Sequence, residues 1–214
     1  MSFDKKTLLL YAVTDRAWTD GRSLIEQVEA AIKGGVTCVQ LREKNLSEEE
    51  FLAEAMEISS LCKKHGVPLI INDNVNVAIK CHADGIHLGQ EDMNAAKVRS
   101  MVGEDMIIGV SVHTLEEAFE AVANDANYLG VGAVFPTSTK TEISVLSEEI
   151  LERICAVAGI PVVAIGGIGK TNMKQLAGTG VDGVALVSAI FAAKDIEGEC
   201  RELRQLAEET VKAV

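Results

Sequence analysis

The end of the second apolar run of the chain and the residues after it carry an amide and two cations at alternate positions. Gln40, Arg42 and Lys44 would share one side of an extended backbone, because successive side chains of a strand point to opposite faces. An amide with two positive charges is suited to binding an anion such as a phosphate. The alternative interpretation is a solvated surface in which a salt bridge to Glu43 satisfies the cations.

Two aspartates follow the next two apolar runs, at the points where those runs end. Asp73 comes directly after Asn72, and Asp92 lies a few residues beyond His87. If the runs are parallel strands, both carboxylates would lie at the same edge of the sheet. Mg²⁺ prefers one or two carboxylates together with substrate phosphate oxygens and water. The pair therefore indicates a magnesium site, although Asn and Asp are also good N-caps for the helices that would follow.

Further polar candidates end the fifth run and follow the sixth. Ser111 and His113 end the fifth run, and His113 could act as a base, although a histidine beside a capping threonine is more often structural. The sixth run leads into a loop that begins at Pro136 and carries three hydroxyls and a cation. These loop residues, which suit an oxyanion or an ordinary polar loop, are Thr137, Ser138, Thr139 and Lys140.

Eight short runs rich in Val, Ile and Leu must position these side chains. Most of the runs are almost continuously apolar, as expected of parallel strands that are covered on both faces. The runs are Leu8–Val13, Val36–Leu41, Val67–Ile71, Gly85–Leu88, Ile107–Val112, Tyr128–Phe135, Pro161–Ile165 and Gly183–Val187.

The segments between the runs carry helix signals. Ser23–Lys33 has an apolar stripe and stops at a pair of glycines. Ser47 with Glu50 predicts a capping box ahead of a helix that ends near Gly66, and Thr114 with Glu117 predicts another. A final amphipathic helix is expected near residues 196–214.

Alternating strands and helices indicate a parallel α/β domain. A doubly wound sheet normally has fewer strands and a glycine-rich first turn, whereas the first turn here is Thr14-Asp15-Arg16. Eight units without a linker favour a single (β/α)8 TIM barrel over residues 1–214. Such barrels often bind phosphate between the loops after strands seven and eight, here Gly166-Gly167 and Val187-Ser188.

The composition of the chain limits the classes of molecule that it is expected to bind. The formal net charge of −12 argues against nucleic acid, although clustered cations can still attract phosphorylated small molecules. Five scattered cysteines without CxxC spacing predict neither disulfides nor zinc, which favours a reducing cytoplasmic compartment. We expect no signal peptide and no membrane span. The pattern neither specifies nor excludes a homo-oligomer.

In their order along the chain, these motifs resemble the thiamine-phosphate synthase family. The resemblance covers nearly the whole sequence and implies a TIM barrel that joins a pyrimidine diphosphate to a thiazole phosphate with Mg²⁺. The similar segments are Tyr11–Asp15, Gln40–Lys44, Ile71–Asp73, Gly85–Asp92, Gly109–Ser111, Phe135–Lys140, Gly166–Ile168 and Val187-Ser188.

The resemblance also implies a role for each candidate residue. It assigns the pyrimidine diphosphate to Gln40, Leu41, Arg42, Glu43, Lys44, Asn72, Ser111 and Lys140, with Arg42, Lys44, Ser111 and Lys140 as catalytic residues. It assigns the thiazole phosphate to Thr137, Ser138, Thr139, Gly167, Val187 and Ser188, and Mg²⁺ to Asp73 and Asp92. One departure is Glu142, which stands where the family usually has Asp.

Two other functions remain open at this stage. A thiazole tautomerase of the same superfamily would need a proton shuttle, so His113 would be central and Arg42, Lys44, Asp73 and Asp92 dispensable. A non-catalytic protein that binds thiamine phosphate would need no complete set of cations and carboxylates. The joint presence of both charge types favours the synthase.

Overall fold

Eight parallel strands close into a barrel in their sequence order, and β8 pairs with β1. The computed structural model describes residues 4–19, 21–137 and 145–212. The strands are β1 Leu10–Val13, β2 Cys38–Leu41, β3 Leu69–Asn72, β4 Gly85–Leu88, β5 Ile107–Val112, β6 Tyr128–Val131, β7 Val162–Ile165 and β8 Gly183–Leu186. The closed parallel barrel confirms the predicted fold class.

Helices cover the outside of the barrel. They are α1 Leu24–Lys33, α2 Glu48–His65, α3 Val75–Lys80, α4 Ala95–Val102, α5 Leu115–Ala123, α6 Glu148–Val157, α7 Ser188–Phe191 and α8 Ile196–Val211. Between β7 and β8 the chain forms only a short 3-10 helix, Met173–Leu176, instead of a full α-helix. The predicted C-terminal helix, α8, packs against α1 and this 3-10 helix and so completes the outer layer.

Several predicted strands are shorter than their apolar runs. Leu8 belongs to a 3-10 helix, because the Asp4 side chain caps that turn by accepting a hydrogen bond from the Lys6 N–H. β6 ends at Val131, since the Val134 N–H then donates to Ile165 O and the chain follows the loop after β7. Apolar side chains at the ends of the runs still pack in the core although they lie outside the strands. Hydrophobicity alone therefore overestimates the length of the strands.

The helices begin after Ser23, Ser47 and Thr114 as predicted, but the predicted capping box at Thr114 is incomplete. Ser23 and Ser47 form complete capping boxes, and Gly66 ends α2 in a left-handed conformation. Thr114 caps α5 through its hydroxyl, but the Glu117 carboxylate does not return to the Thr114 N–H. It accepts instead from the N–H of His113 at 2.6 Å and also contacts the ring nitrogen Nδ1 of that histidine.

The barrel interior is filled by a core separate from the layer between strands and helices. This inner core includes the buried rings of Tyr11 and Tyr128. Gly109 makes room for them, because a Cβ there would lie 2.0 Å from Cζ of Tyr128. The tyrosines close the barrel below its C-terminal end, where the chemistry of this fold takes place.

Candidate active site

A cavity of about 880 Å³, including its open mouth, lies at the C-terminal ends of the strands. This is the end of the barrel at which (β/α)8 proteins place their active sites. Predicted site residues from six strands or their following loops reach this one space: Gln40, Arg42, Asn72, Ser111, Thr137, Gly167, Val187 and Ser188. The structure therefore brings together residues that are up to 148 positions apart in the sequence, from Gln40 to Ser188.

The C-terminal end of β2 and the residues after it alternate between two environments, as the sequence predicts. Gln40 and Arg42 line the cavity. Leu41 is packed in the layer between strands and helices, so its side chain is not available to a ligand in the cavity. Glu43 also points away and binds Arg16, with 2.8 Å between Oε2 and Nε.

Two hydrogen bonds fix the backbone at Arg42. Its N–H donates to the hydroxyl of Thr14 at 3.0 Å, and the N–H of Thr14 donates to Gln40 O. The guanidinium lies 3.7 Å from the carboxylate of Asp15. Arg42 is therefore held at the cavity wall by the loop that follows β1.

Asp73 and Asp92 lie close to one another at the adjoining rim, outside the cavity wall. Burial, together with the hydrogen bond and negative charge of Asp92, raises the pKa of Asp73 to about 6, and Asn72 and Lys44 oppose this shift. One oxygen of Asp92 accepts from the N–H of Gly89 at 2.7 Å. The predicted carboxylate pair is thus assembled, with the Lys44 charge on the same side of the site.

A chain of buried polar groups crosses the barrel beneath the cavity, and sequence reasoning missed it. Gln40 donates to the Tyr11 hydroxyl, which contacts that of Tyr128, each at 2.9 Å. The two ring nitrogens of His87 contact Tyr128 at 2.9 Å and Ser111 at 2.8 Å. These bonds orient two predicted ligand-binding residues, Gln40 and Ser111, from one continuous network.

Close backbone packing shapes the opposite wall. Gly167 has a φ of 66°, and a Cβ there would lie 2.4 Å from Pro136 O. Glycine therefore lets the loop after β7 pack directly against the loop after β6. Beside it, Ser188 starts α7 after β8, so that the predicted phosphate-binding segments face the same space.

Three predicted site residues, Ser138, Thr139 and Lys140, lie outside the described residues, as does Glu142. His113 lines the cavity, and its Nδ1 lies 3.1 Å from Glu117 Oε2. In the described ranges, no group of three or more His, Cys, Asp or Glu side chains is arranged to hold a metal ion. None of the described helices combines the length and apolar character that a bilayer span requires.

The closed barrel and the convergence of cations, amides and carboxylates at its C-terminal end define a (β/α)8 protein with a candidate site for anionic ligands. Comparisons with known proteins identify the family. The model of the family described as thiamine monophosphate synthase matches residues 10–190. Thiamine-phosphate synthase of Clostridium tetani is 47% identical over 194 residues, which cover 91% of this chain and 93% of that protein.

Other relatives agree. Thiamine-phosphate synthase of Syntrophomonas wolfei is 47% identical over 93% of this chain and 96% of its own. The structure of thiamine phosphate pyrophosphorylase from Pyrococcus furiosus has a TM-score of 0.89 and 39% identity, covering 96% of this chain and 98% of that one. The chain belongs to the thiamine monophosphate synthase family. Its activity is that of a thiamine-phosphate synthase, a transferase of thiamine biosynthesis.

Proposed function

We propose that the chain joins a pyrimidine diphosphate to hydroxyethylthiazole phosphate, or its carboxylated form, in the cavity at the C-terminal end of the barrel. The observation that carries this assignment is the arrangement of Arg42, Asn72 and Ser111 on one side of the cavity and Gly167 and Ser188 on the other. Two anion sites facing one space suit two phosphorylated substrates. The products are thiamine phosphate and diphosphate, and the carboxylated thiazole would in addition release its carboxylate as carbon dioxide.

The pyrimidine diphosphate occupies the side lined by Gln40 and Arg42. Arg42 and Lys44 supply positive charge to the diphosphate, and Asn72 and Ser111 supply polar groups. The network through His87 supports this role, because a serine whose hydroxyl is held by a fixed partner loses little freedom when it binds a ligand. Leu41 can offer the substrate only its backbone groups, and the side chain of Glu43 lies outside the cavity.

Asp73 and Asp92 fit a magnesium ion. Two neighbouring carboxylates at the rim, without further acidic or histidine ligands in the described chain, match the preference of Mg²⁺ for few carboxylates plus phosphate oxygens and water. When bound, Mg²⁺ would neutralise charge on the diphosphate. Lys44 acts on Asp73 from the same side and would complete the positive surroundings of the leaving group.

The protein's contribution to the reaction is positioning and electrostatic stabilisation. The bond between the exocyclic methylene of the pyrimidine and diphosphate oxygen breaks, the amino group of the ring delocalises the positive charge, and the thiazole nitrogen attacks the methylene. Arg42 and Lys44 stabilise the negative charge that develops on the departing diphosphate. The loops after β7 and β8 hold the thiazole phosphate in line for attack.

Arg42→Ala tests the assignment of the diphosphate site. Removing a charge-assisted contact to a phosphate should weaken binding of the pyrimidine diphosphate by about tenfold or more, while binding of the thiazole phosphate changes little. Calorimetric titration of each substrate checks both expectations. Arg201→Ala, which removes an exposed arginine on α8, is the matched control. Unchanged pyrimidine affinity in Arg42→Ala would contradict the proposed site.

A further inference from the structure

Glu43 presents an electrostatic problem at this site. It lies between Arg42 and Lys44 in the sequence, yet a free carboxylate there would attract the same cations that are proposed to bind the diphosphate. Its side chain is turned to the outside of the barrel and is only 3% exposed. Something other than solvent must therefore balance its charge.

Arg16 provides that balance. This residue lies in a 3-10 helix of the loop after β1, Arg16–Trp18, and its guanidinium bridges two carboxylates. Nε is 2.8 Å from Glu43 Oε2, and Nη2 is 2.6 Å from Oε1 of Glu54 on α2. The bridge connects three separate elements behind the β2–α2 loop.

Two ion pairs of opposite polarity connect the loop after β1 with the loop after β2. Asp15 lies 3.7 Å from Arg42, while its neighbour Arg16 binds Glu43, so that each loop supplies one acid and one base. The guanidinium of Arg16 thus holds Glu43 on the side of the loop opposite to the cavity. Without Arg16, the carboxylate would be buried beside Glu54 with no cation, which is strongly unfavourable.

We propose that Arg16 is a positioning residue that prevents Glu43 from competing with the diphosphate for Arg42 and Lys44. This inference rests on the proposed diphosphate site. Arg16 stands outside the cavity wall and acts on substrate binding only through Glu43. Glu54 anchors the second end of the guanidinium and thereby fixes its orientation.

Arg16→Met is the first test. The freed Glu43 carboxylate should pair with Arg42 or Lys44, and the KM for the pyrimidine diphosphate should rise about tenfold, as expected for loss of one charge-assisted hydrogen bond. The KM for the thiazole phosphate should change less than about twofold, because the loops after β7 and β8 are unaltered. Arg22→Met is the matched control, since Arg22 belongs to the same loop but donates to the carbonyls of Ala193 and Lys194.

The double variant Arg16→Met/Glu43→Gln separates positioning from mere structural support. An amide cannot compete electrostatically for the two cations, so the pyrimidine KM should return to within about threefold of wild type, with Glu43→Gln alone as the fourth corner of the cycle. Arg16→Lys, which keeps the charge but replaces the planar guanidinium with a single ammonium that cannot reproduce its fork geometry, covers the case in which Arg16→Met does not fold. Its smaller rise in KM should also be reversed by Glu43→Gln.

The outcomes distinguish the two proposals. If Arg42→Ala leaves the pyrimidine KM unchanged, the diphosphate site itself is wrong. If Arg42→Ala raises that KM while the folded Arg16 variants do not, only the positioning role is overturned. It is also overturned if Glu43→Gln fails to reverse the rise, because Arg16 would then act by supporting the fold.

Discussion

Asp73 adopts a left-handed backbone conformation, with a φ of 63°, immediately after β3 ends. Its N–H donates to His87 O at 2.9 Å, so the turn is tied to the end of β4, the strand that leads towards Asp92. Asn and Asp tolerate this conformation better than most residues, but it remains uncommon outside glycine. Such a position at the rim of a cavity is consistent with a functional constraint on the aspartate.

Asp73→Asn should reduce activity at low Mg²⁺ on the order of 100-fold, because the amide keeps the backbone conformation but loses the charge that a hard cation prefers. Steady-state rates over a Mg²⁺ titration measure the effect. Asp125→Asn is a matched control, since Asp125 has a φ of 62° and does not line the cavity. Near-normal rates for Asp73→Asn at low Mg²⁺ would show that this carboxylate serves only the local turn.

His113→Asn should lose less than about tenfold in rate, which corresponds to roughly 1.4 kcal/mol of barrier. The ring of His113 is paired with Glu117, and the proposed substitution requires no general base. Initial rates at saturating substrates measure the loss. A decrease of about 10²–10⁴, typical of a positioned acid–base, would contradict the mechanism and favour a proton-shuttling reaction.

At the scale of elements, the β2–α2 loop depends on charges from the loop after β1 and from α2. Burial, and then the charge of Glu43, raises the pKa of Glu54 to about 7, although the Arg16 guanidinium opposes this shift. One oxygen each of Glu43 and Glu54 is buried with no hydrogen-bond partner among the described residues. The pKa of Glu50, one turn before Glu54 on α2, is lowered mainly by hydrogen bonds with Ser47, and the charge of Arg16 adds to this effect.

Glu54→Gln should flatten the pH dependence of stability. The folded protein holds the Glu54 proton to about pH 7, whereas an ordinary glutamate releases it near 4.5. The folded state therefore binds more protons between these values, and the free energy of unfolding decreases as the pH rises through this window. Glutamine has no such proton to lose.

Chemical denaturation at pH 5 and pH 8 measures the difference. Wild type should lose more stability than Glu54→Gln between the two values. Glu57→Gln, another α2 substitution, is the control and should follow wild type. Parallel losses in wild type and Glu54→Gln would show that Glu54 is ionised throughout.

Secondary-structure elements and the sides to which their residues point could be predicted from the sequence better than the contacts between distant side chains. The continuous apolar runs indicated parallel strands, and alternation placed Gln40 and Arg42 opposite Leu41, as the structure confirms. Contacts between distant residues carry no such periodic signal. Arg16 and Glu54 are 38 residues apart, so neither spacing nor residue type predicted their bond.

The polar network within the barrel shows the same limit. His87 interrupts an otherwise apolar strand, which was the available signal, but an isolated histidine in a strand does not indicate what it contacts. Its bonds to Tyr128 and Ser111 depend on the parallel pairing that places β4, β5 and β6 side by side. The network therefore follows from topology rather than from local pattern.

At the scale of the whole molecule, an acidic chain must bind two anionic substrates. The net charge of −12 would repel them, but the cavity wall and its rim carry Arg42 and Lys44. Local cations can set the potential inside a cleft against the global sign, because low-dielectric walls concentrate their field. The barrel supplies this separation by turning Glu43 outward and gathering the cations at one end.

The most direct test of this account is a single-turnover measurement of diphosphate release, with thiamine phosphate quantified in the same samples. With the pyrimidine diphosphate, the thiazole phosphate and Mg²⁺ present, we expect one thiamine phosphate for each diphosphate released. Omitting Mg²⁺ or substituting Arg42→Ala should slow release on the order of 10²-fold or more. Equal release rates with and without Arg42 and Mg²⁺, or diphosphate release without thiamine phosphate, would contradict the proposed site and its mechanism.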